Sequence, residues 1–119
     1  MAKYTSVTLS GSTAGRAIAI GSTGSLGTTI HTAATSTGVH DEVYLWATNI
    51  STADKELTIE WGGSSTLDQI RYTVPFRDGL HAILPGLRSE AGKVTRGFMS
   101  DSTLTSTVTV SGYVNRITP

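Results

Sequence analysis

Cysteine is absent from this chain of 119 residues, which excludes a disulfide framework and a thiolate metal site as stabilising devices. Nine basic residues balance nine acidic ones, whereas nucleic-acid-binding proteins usually carry a basic surplus that neutralises phosphates. No run approaches the roughly 20 apolar residues of a membrane helix, and the opening segment MAKYTSVTLS has no apolar region typical of a signal peptide. We therefore expect no nucleic-acid partner, no membrane span and no secretion signal.

Threonine and serine dominate what the sequence does contain. There are 20 Thr and 14 Ser, together with 13 Gly, and good helix formers are sparse over any long window. β-Branched side chains favour pleated strands because their stiff χ1 angles pack well there, and Gly and Ser supply the turns between strands. Since this length suits one compact domain, the composition predicts a single all-β domain.

Hydrophobic periodicity supports that prediction most clearly over residues 43–49 and 55–61. Both runs alternate with a period of two and are separated by the short polar segment ISTAD, which is typical of an antiparallel hairpin. Across the chain we count about eight or nine short strands, which predicts a β-sandwich of jelly-roll type. Residues 1–15 are interpreted as an N-terminal arm and flexible joint, and residues 16–119 as the sandwich.

Two further strands are predicted in the C-terminal half of the chain. The run HAIL at 81–84 is followed by Pro85-Gly86, which predicts that a strand ends there. The last strand is expected over 104–117, with its valines facing inward: Val108, Val110 and Val114.

The predicted hairpin carries both tryptophans of the chain. In VYLWATN, Tyr44 and Trp46 project opposite Val43 and Leu45, where we expect another segment of the same chain, a protein partner or a sugar to cover them. Trp46 is the better candidate for a subunit or partner contact. In KELTIEW, Trp61 shares a face with Leu57 and Ile59, and we expect it in the core. The glutamates of that strand, Glu56 and Glu60, are expected in water.

The sequence contains no motif with a catalytic mechanism behind it. The three histidines, His31, His40 and His81, lack the short spacing of a local metal site. His40-Asp41-Glu42 could supply oxygen-rich ligands, but a solvated loop is the favoured interpretation. Asn49-Ile50-Ser51 matches the glycosylation triplet, a weak three-residue pattern. We predict no catalytic residue, no metal site and no cofactor.

Five segments occur in order between residues 27 and 117: GTTIHTA, DEVYLWATN, LTIEWGG, VPFRDGLHAILPGL and VSGYVNRI. Together they resemble small structural proteins of tailed bacteriophages. The resemblance implies a non-enzymatic virion protein, made in the host cytoplasm, that decorates the outer capsid surface and stabilises the head. Such cement proteins commonly form trimers on capsid symmetry axes, so the implied partners are the major capsid protein and copies of the chain itself.

On this reading, residues 1–9 would reach a neighbouring subunit and add a strand to it. A tail, baseplate or fibre subunit is the nearest variant, and a carbohydrate-binding or host-adhesion module, with a glycan as ligand, is the alternative from another class. The residues predicted to contact partners belong to the arm and to the aromatic strand faces: Tyr4, Val7, Leu9, Tyr44, Trp46 and Tyr113.

Overall fold

A computed structural model describes residues 2–100 and 107–119, and these contain nine β-strands and one turn of 3₁₀ helix. The beginning of the last predicted strand, residues 104–106, lies outside the described residues. The elements are β1 (Lys3–Thr8), β2 (Ile18–Ala19), β3 (Thr28–Thr32), β4 (His40–Asn49), β5 (Lys55–Trp61), a 3₁₀ turn (Thr66–Asp68), β6 (Gln69–Val74), β7 (His81–Glu90), β8 (Val94–Met99) and β9 (Val108–Thr118).

The strands form two antiparallel sheets that pack face to face. The first sheet has the order β1-β9-β4-β7, with β2 also paired to β9, and the second has the order β3-β8-β5-β6. From β3 onward the chain passes from one sheet to the other at each connection except that between β5 and β6. This alternation is that of a double-sheet jelly roll, which confirms the predicted all-β sandwich.

The core lies between the inner faces of the two sheets, and β4 shows how the sequence builds it. Val43, Leu45 and Ala47 are fully buried, whereas the intervening Tyr44 and Trp46 are half-buried on the outer face. Because successive side chains of a strand point to opposite faces, one period-two run serves both surfaces. The inward prediction is also confirmed on β9, for Val108, Val110 and Val114.

On β5 the prediction was right for Leu57 and Ile59, which are buried, and wrong for one glutamate. Glu56 is exposed, but Glu60 is fully buried. Its carboxylate reaches across β8 to the loop before β3, where Ser25 Oγ donates to Oε2 at 2.6 Å and the Gly27 amide donates to Oε1 at 2.7 Å. These hydrogen bonds replace water around the charge.

The strand that was expected to end at 84 continues to Glu90 as β7, through Pro85 and Gly86. Proline is tolerated here because β7 is the edge strand of the first sheet, where one side of the strand needs no ladder partner. The pairing of β7 with β4 shifts register between Val43 and Tyr44, close to this proline. Such an irregularity is typical of edge strands, where it discourages pairing with another chain.

The N-terminal residues belong to the sandwich instead of forming a free arm. β1 pairs with β9 of the same chain, from Lys3 opposite Thr118 to Thr8 opposite Tyr113. Leu9 follows directly and is buried in the core. The chain then crosses to the second sheet, where the Gly11 amide donates to the Ile30 carbonyl at 2.9 Å. No boundary at residue 15 separates an arm from the sandwich, because core packing already begins at Leu9.

Candidate functional site

Three aromatic rings stand in contact on the outer face of the first sheet. β4 contributes Tyr44 and Trp46, and β9 contributes Tyr113 directly opposite Tyr44. The Tyr113 ring stacks on Tyr44 with centroids 5.0 Å apart and planes 13° apart. It also stacks on Trp46, at 6.0 Å and 22°. We call these three residues the aromatic row.

Glycines on both sides make room for the aromatic row. A Cβ at Gly86 of β7 would lie 2.8 Å from Cζ of Tyr44, so that ring packs directly over the backbone of the edge strand. On β9, a Cβ at Gly112 would collide with the carbonyl oxygen of Tyr44. The missing side chains allow β4, β7 and β9 to approach under the rings. The row is therefore held from beneath and from the side, while Tyr113 remains 43% exposed.

The surroundings of the aromatic row are polar but carry little charge. Ser111 is the cross-strand neighbour of Trp46, and Thr109 that of Thr48. Toward the other end of β4, Glu42 accepts a hydrogen bond from the Asn115 amide at 3.1 Å. Preorganised aromatic rings inside a polar rim are typical of protein-binding surfaces. This arrangement offers area for apolar contact and provides no acid–base pair.

Of the predicted arm contacts, only Tyr4 is available at the surface. Tyr4 is 67% exposed and lies opposite Ile117, on the same sheet face as the aromatic row. It lies four positions before Thr8, the β1 neighbour of Tyr113, which corresponds to about 13 Å along the strand. Tyr4 is thus on the right face but away from the row.

Val7 and Leu9 turn the other way, into the sandwich. Val7 is half-buried and packs against the core, and Leu9 is only 1% exposed. Both were predicted as partner contacts. For Leu9 that prediction is incorrect, because its side chain is already covered by the protein itself.

A second cluster joins four segments through the buried carboxylate of Asp41. Its Oδ2 lies 2.7 Å from His31 Nε2, and Arg116 donates from Nε to Oδ1 at 2.8 Å and from Nη2 to Oδ2 at 3.0 Å. The Ala34 amide also donates to Oδ2, at 3.3 Å. We call His31, Asp41 and Arg116 the buried ion cluster. The expected solvated loop at 40–42 is in fact the first part of β4, with Asp41 fully buried.

The hydrogen bonds of His31 determine its tautomer. The Ser10 amide donates to Nδ1 at 3.0 Å, so Nδ1 must be an acceptor and Nε2 must carry the proton that is donated to Asp41. His31 is therefore neutral in this arrangement. Ser10 Oγ does not approach the ring as a nucleophile would; it accepts from the Thr32 amide at 2.7 Å. The cluster ties the β1–β2 connection to β3 and β4, and its geometry is that of a structural tie.

The electrostatics of the cluster favour the ionised carboxylate. Burial raises the pKa of Asp41, but the hydrogen bonds from Arg116 and His31 and the charge of Arg116 outweigh that effect, and the pKa lies below its ordinary value of 3.8. The carboxylate in turn raises the pKa of Arg116. The pair is thus charged at neutral pH.

The glycosylation triplet proves to be part of the fold. Asn49 is fully buried, and its amide group donates to the carbonyls of Ala53 and Val74, both at 2.9 Å. Its Oδ1 accepts from the Ser51 amide at 2.9 Å and from the Ser51 hydroxyl at 2.7 Å. A side chain with all these partners holds the β4–β5 turn and is not accessible to a glycosylating enzyme.

Within residues 2–100 and 107–119, no three His, Asp or Glu side chains gather into a group that could hold a metal ion. In the same part of the chain no helix is long and apolar enough to cross a membrane.

Comparisons with known proteins supply no relative. No protein-family model matches the chain, and neither the curated proteins nor the solved structures contain a significant match. The aromatic row is therefore identified as the candidate functional site from its geometry alone. Tyr44 and Trp46 were recognisable from strand alternation, but their contact with Tyr113, 69 residues further along than Tyr44, required the pairing of β4 with β9.

Proposed function

We propose that this protein is a non-enzymatic structural component of a phage particle, a decoration protein that binds the outer capsid surface through the aromatic row. The resemblance in the sequence suggests the particle. The jelly roll is compatible with it, since this architecture occurs in viral capsid and lectin domains. The single observation that carries the proposal is the prearranged stack of Tyr44, Tyr113 and Trp46 on the outer sheet face, with Tyr113 43% exposed.

Such a stack suits a protein partner for energetic reasons. Tyr and Trp bury a large area with few rotatable bonds, and their rings here are already ordered by mutual stacking before any partner arrives. A stable interface buries roughly 800 Å² on each side, with most of its energy in a few central aromatic or Arg residues. The neutral formal charge of the chain also permits many copies to sit close together on a shell.

The test is binding of purified protein to emptied heads of the phage that encodes it, measured by cosedimentation. Tyr113→Ala and Trp46→Ala should each weaken binding about 30-fold, as truncation of a central interface aromatic costs about 2 kcal/mol. Thr73→Ala is the matched control, because Thr73 is exposed on the other sheet, opposite Glu56. Circular dichroism melts would verify that each variant is folded.

Full binding by both aromatic variants would refute the assignment of the row. Immunogold labelling of intact particles then separates the head from the tail. Label on the tail or baseplate would replace the capsid partner while leaving the structural role in place.

Self-association is part of the same proposal. We expect a homo-oligomer, with a trimer favoured, and light scattering over a concentration series measures its mass. Strand addition by residues 1–9 would require β1 to leave β9 of its own chain. Deleting residues 2–8 should then lower both the oligomer mass and capsid binding. An unchanged mass would remove β1 from the subunit contact.

A further inference from the structure

A cleft of about 470 Å³ opens at the opposite end of β5 from the β4–β5 turn. Trp61, the last residue of β5, and Ser89, on the inner face of β7, both line it. The two residues belong to different sheets, so the cleft is the open end of the space between the sheets. Its volume is within the range of about 300–1,000 Å³ found for small-ligand pockets.

Two short, well-braced connections form its walls. On the β7–β8 side, Ala91 and Gly92 both have positive φ angles, 56° and 71°, and the Lys93 amide closes the turn on the Glu90 carbonyl at 3.1 Å. Positive φ at both central positions is characteristic of a tight type I′ hairpin turn.

On the β5–β6 side, Asp68 accepts a hydrogen bond from the Ser65 amide at 3.0 Å and Ser65 caps the 3₁₀ turn in return. A Cβ at Gly63 would collide with the Asp68 carboxylate, so the chain passes close behind this side chain. Asp68 is thereby held at the cleft with a fixed orientation.

The charges around the cleft cancel. Arg88 and Lys93 supply two cations, and Asp68 and Glu90 supply two carboxylates. Arg88 Nη2 lies 3.2 Å from Glu90 Oε2, with both side chains more than half exposed, while Lys93 has no ion pair within the described part of the chain. An anion would meet two carboxylates here and a cation two basic groups, so neither is favoured over a neutral molecule.

From these features we infer that the Trp61 cleft is a binding site for a neutral saccharide of roughly one or two pyranose rings. Sugar hydroxyls both donate and accept, which matches a rim of carboxylates beside a guanidinium and an ammonium group. The apolar face of a pyranose packs against an aromatic ring such as the indole of Trp61. The aromatic row is less suited to binding a sugar, because the Tyr113 ring already stacks on the rings of Tyr44 and Trp46.

The experiment is a titration of the ¹⁵N-labelled protein with glucose, galactose, N-acetylglucosamine and maltose, followed by amide and indole NMR shifts. The variant Trp46→Phe leaves Trp61 as the only indole and assigns its signal. We expect a saturable shift of the Trp61 indole and of the Ala91 and Lys93 amides for at least one sugar. For a ligand of about 12 heavy atoms at ordinary efficiency, the Kd is on the order of 1–5 mM.

Arg88→Ala should weaken binding at least about ten-fold, the low end for a lost charge-assisted hydrogen bond. Arg71→Ala is the matched control and should leave binding unchanged. Its guanidinium is exposed on β6 and bonds only to Gln69 in the described residues.

The inference would be overturned by the absence of a saturable shift with any of the four sugars, by tighter binding of glucuronate than of glucose, or by a response to adenosine alone. A shift confined to Trp46 in the unmodified protein would also overturn it. These results do not depend on capsid binding, which is tested at other residues.

Discussion

Replacing Asp41 by Asn should be among the most destabilising isosteric changes in the chain. Asp41 is fully buried and receives hydrogen bonds from His31, Arg116 and the Ala34 amide. An asparagine retains one acceptor oxygen but places an NH₂ group where the second oxygen accepted. A donor then faces a donor, either from Arg116 or from the Nε2–H of His31.

The size of the stability loss depends on which hydrogen-bond partners of Asp41 can be hydrated by solvent once the bond is lost. The Arg116 side chain is 31% exposed and can recover part of its hydration, which places the loss at the low end of the 3–5 kcal/mol typical of breaking a buried ion pair. His31 is 1% exposed and cannot recover hydration, and an unsatisfied buried donor costs about 1–3 kcal/mol. We expect a loss of about 3 kcal/mol from a total that is about 6–18 kcal/mol for a chain of 119 residues.

Urea denaturation at neutral pH measures this loss. With an m-value of about 1.5–2 kcal/mol/M, the midpoint of Asp41→Asn should fall by about 2 M. Glu42→Gln is the matched control, because Glu42 is the next residue on β4, lies on the outer face and accepts from the neutral Asn115 amide. That change should cost less than about 0.5 kcal/mol.

The natural protein and Asp41→Asn should also differ in how their stability changes with falling pH. The pKa of folded Asp41 lies below 3.8, so its contribution to stability is complete above the unfolded-state pKa and is lost as the pH falls through the folded-state value. The gap between the natural protein and Asp41→Asn should therefore narrow only below pH 3.8. Equal midpoints for the two proteins at neutral pH, or a gap that closes well above pH 4, would refute the assigned role of the buried ion cluster.

Three further changes test other parts of the fold. Glu60→Gln should cost about 1–2 kcal/mol and speed hydrogen exchange at the Gly27 amide, because the charge-assisted bonds at 2.6 and 2.7 Å are lost or reversed. Gly112→Ala should cost about 3 kcal/mol or more in thermal unfolding, since its Cβ would collide with the Tyr44 carbonyl. Leu9→Ala should cost about 2–5 kcal/mol in urea, because Leu9 lies in the core.

For each of these three variants, one result would contradict the expected effect. Unchanged exchange at Gly27 would show that Glu60 does not hold the loop, and a fully stable Gly112→Ala would show that β4 and β9 can separate without penalty. For Leu9 the comparison is Tyr4→Ala, which removes an exposed side chain and should change stability by less than about 0.5 kcal/mol. Equal effects of the two would mean that residues after β1 do not pack in their own sandwich.

Local alternation was the informative signal wherever a strand has one apolar and one polar face. The burial of Val43, Leu45 and the inward valines of β9 could be predicted from the period-two pattern, because that pattern decides which side chains face the core. The pattern failed at Glu60. The alternating pattern predicts that a carboxylate at this position faces solvent. The sequence around Glu60 does not show that the loop of Ser25 and Gly27 covers it.

The two tryptophans also show what local alternation can and cannot predict. From the sequence, Trp61 was expected in the core and Trp46 on the outer face, and Trp46 does lie there in contact with Tyr113. Trp61 packs only partly against the core, because β5 ends at this residue and the sheets leave a cleft beside it. Strand period fixes the face of a side chain, but where the strand ends relative to its neighbours decides how much of that face is covered.

By itself, the sequence determined that the chain is all-β and that Tyr44 and Trp46 lie opposite the core, since each depends on composition or on neighbours two residues apart. The tertiary structure alone decided which distant residues meet. His31, Asp41 and Arg116 are joined across separations of 10 and 75 residues, and the aromatic row exists because β9 pairs with β4 in one register. Such contacts depend on strand order, and local periodicity carries no information about that order.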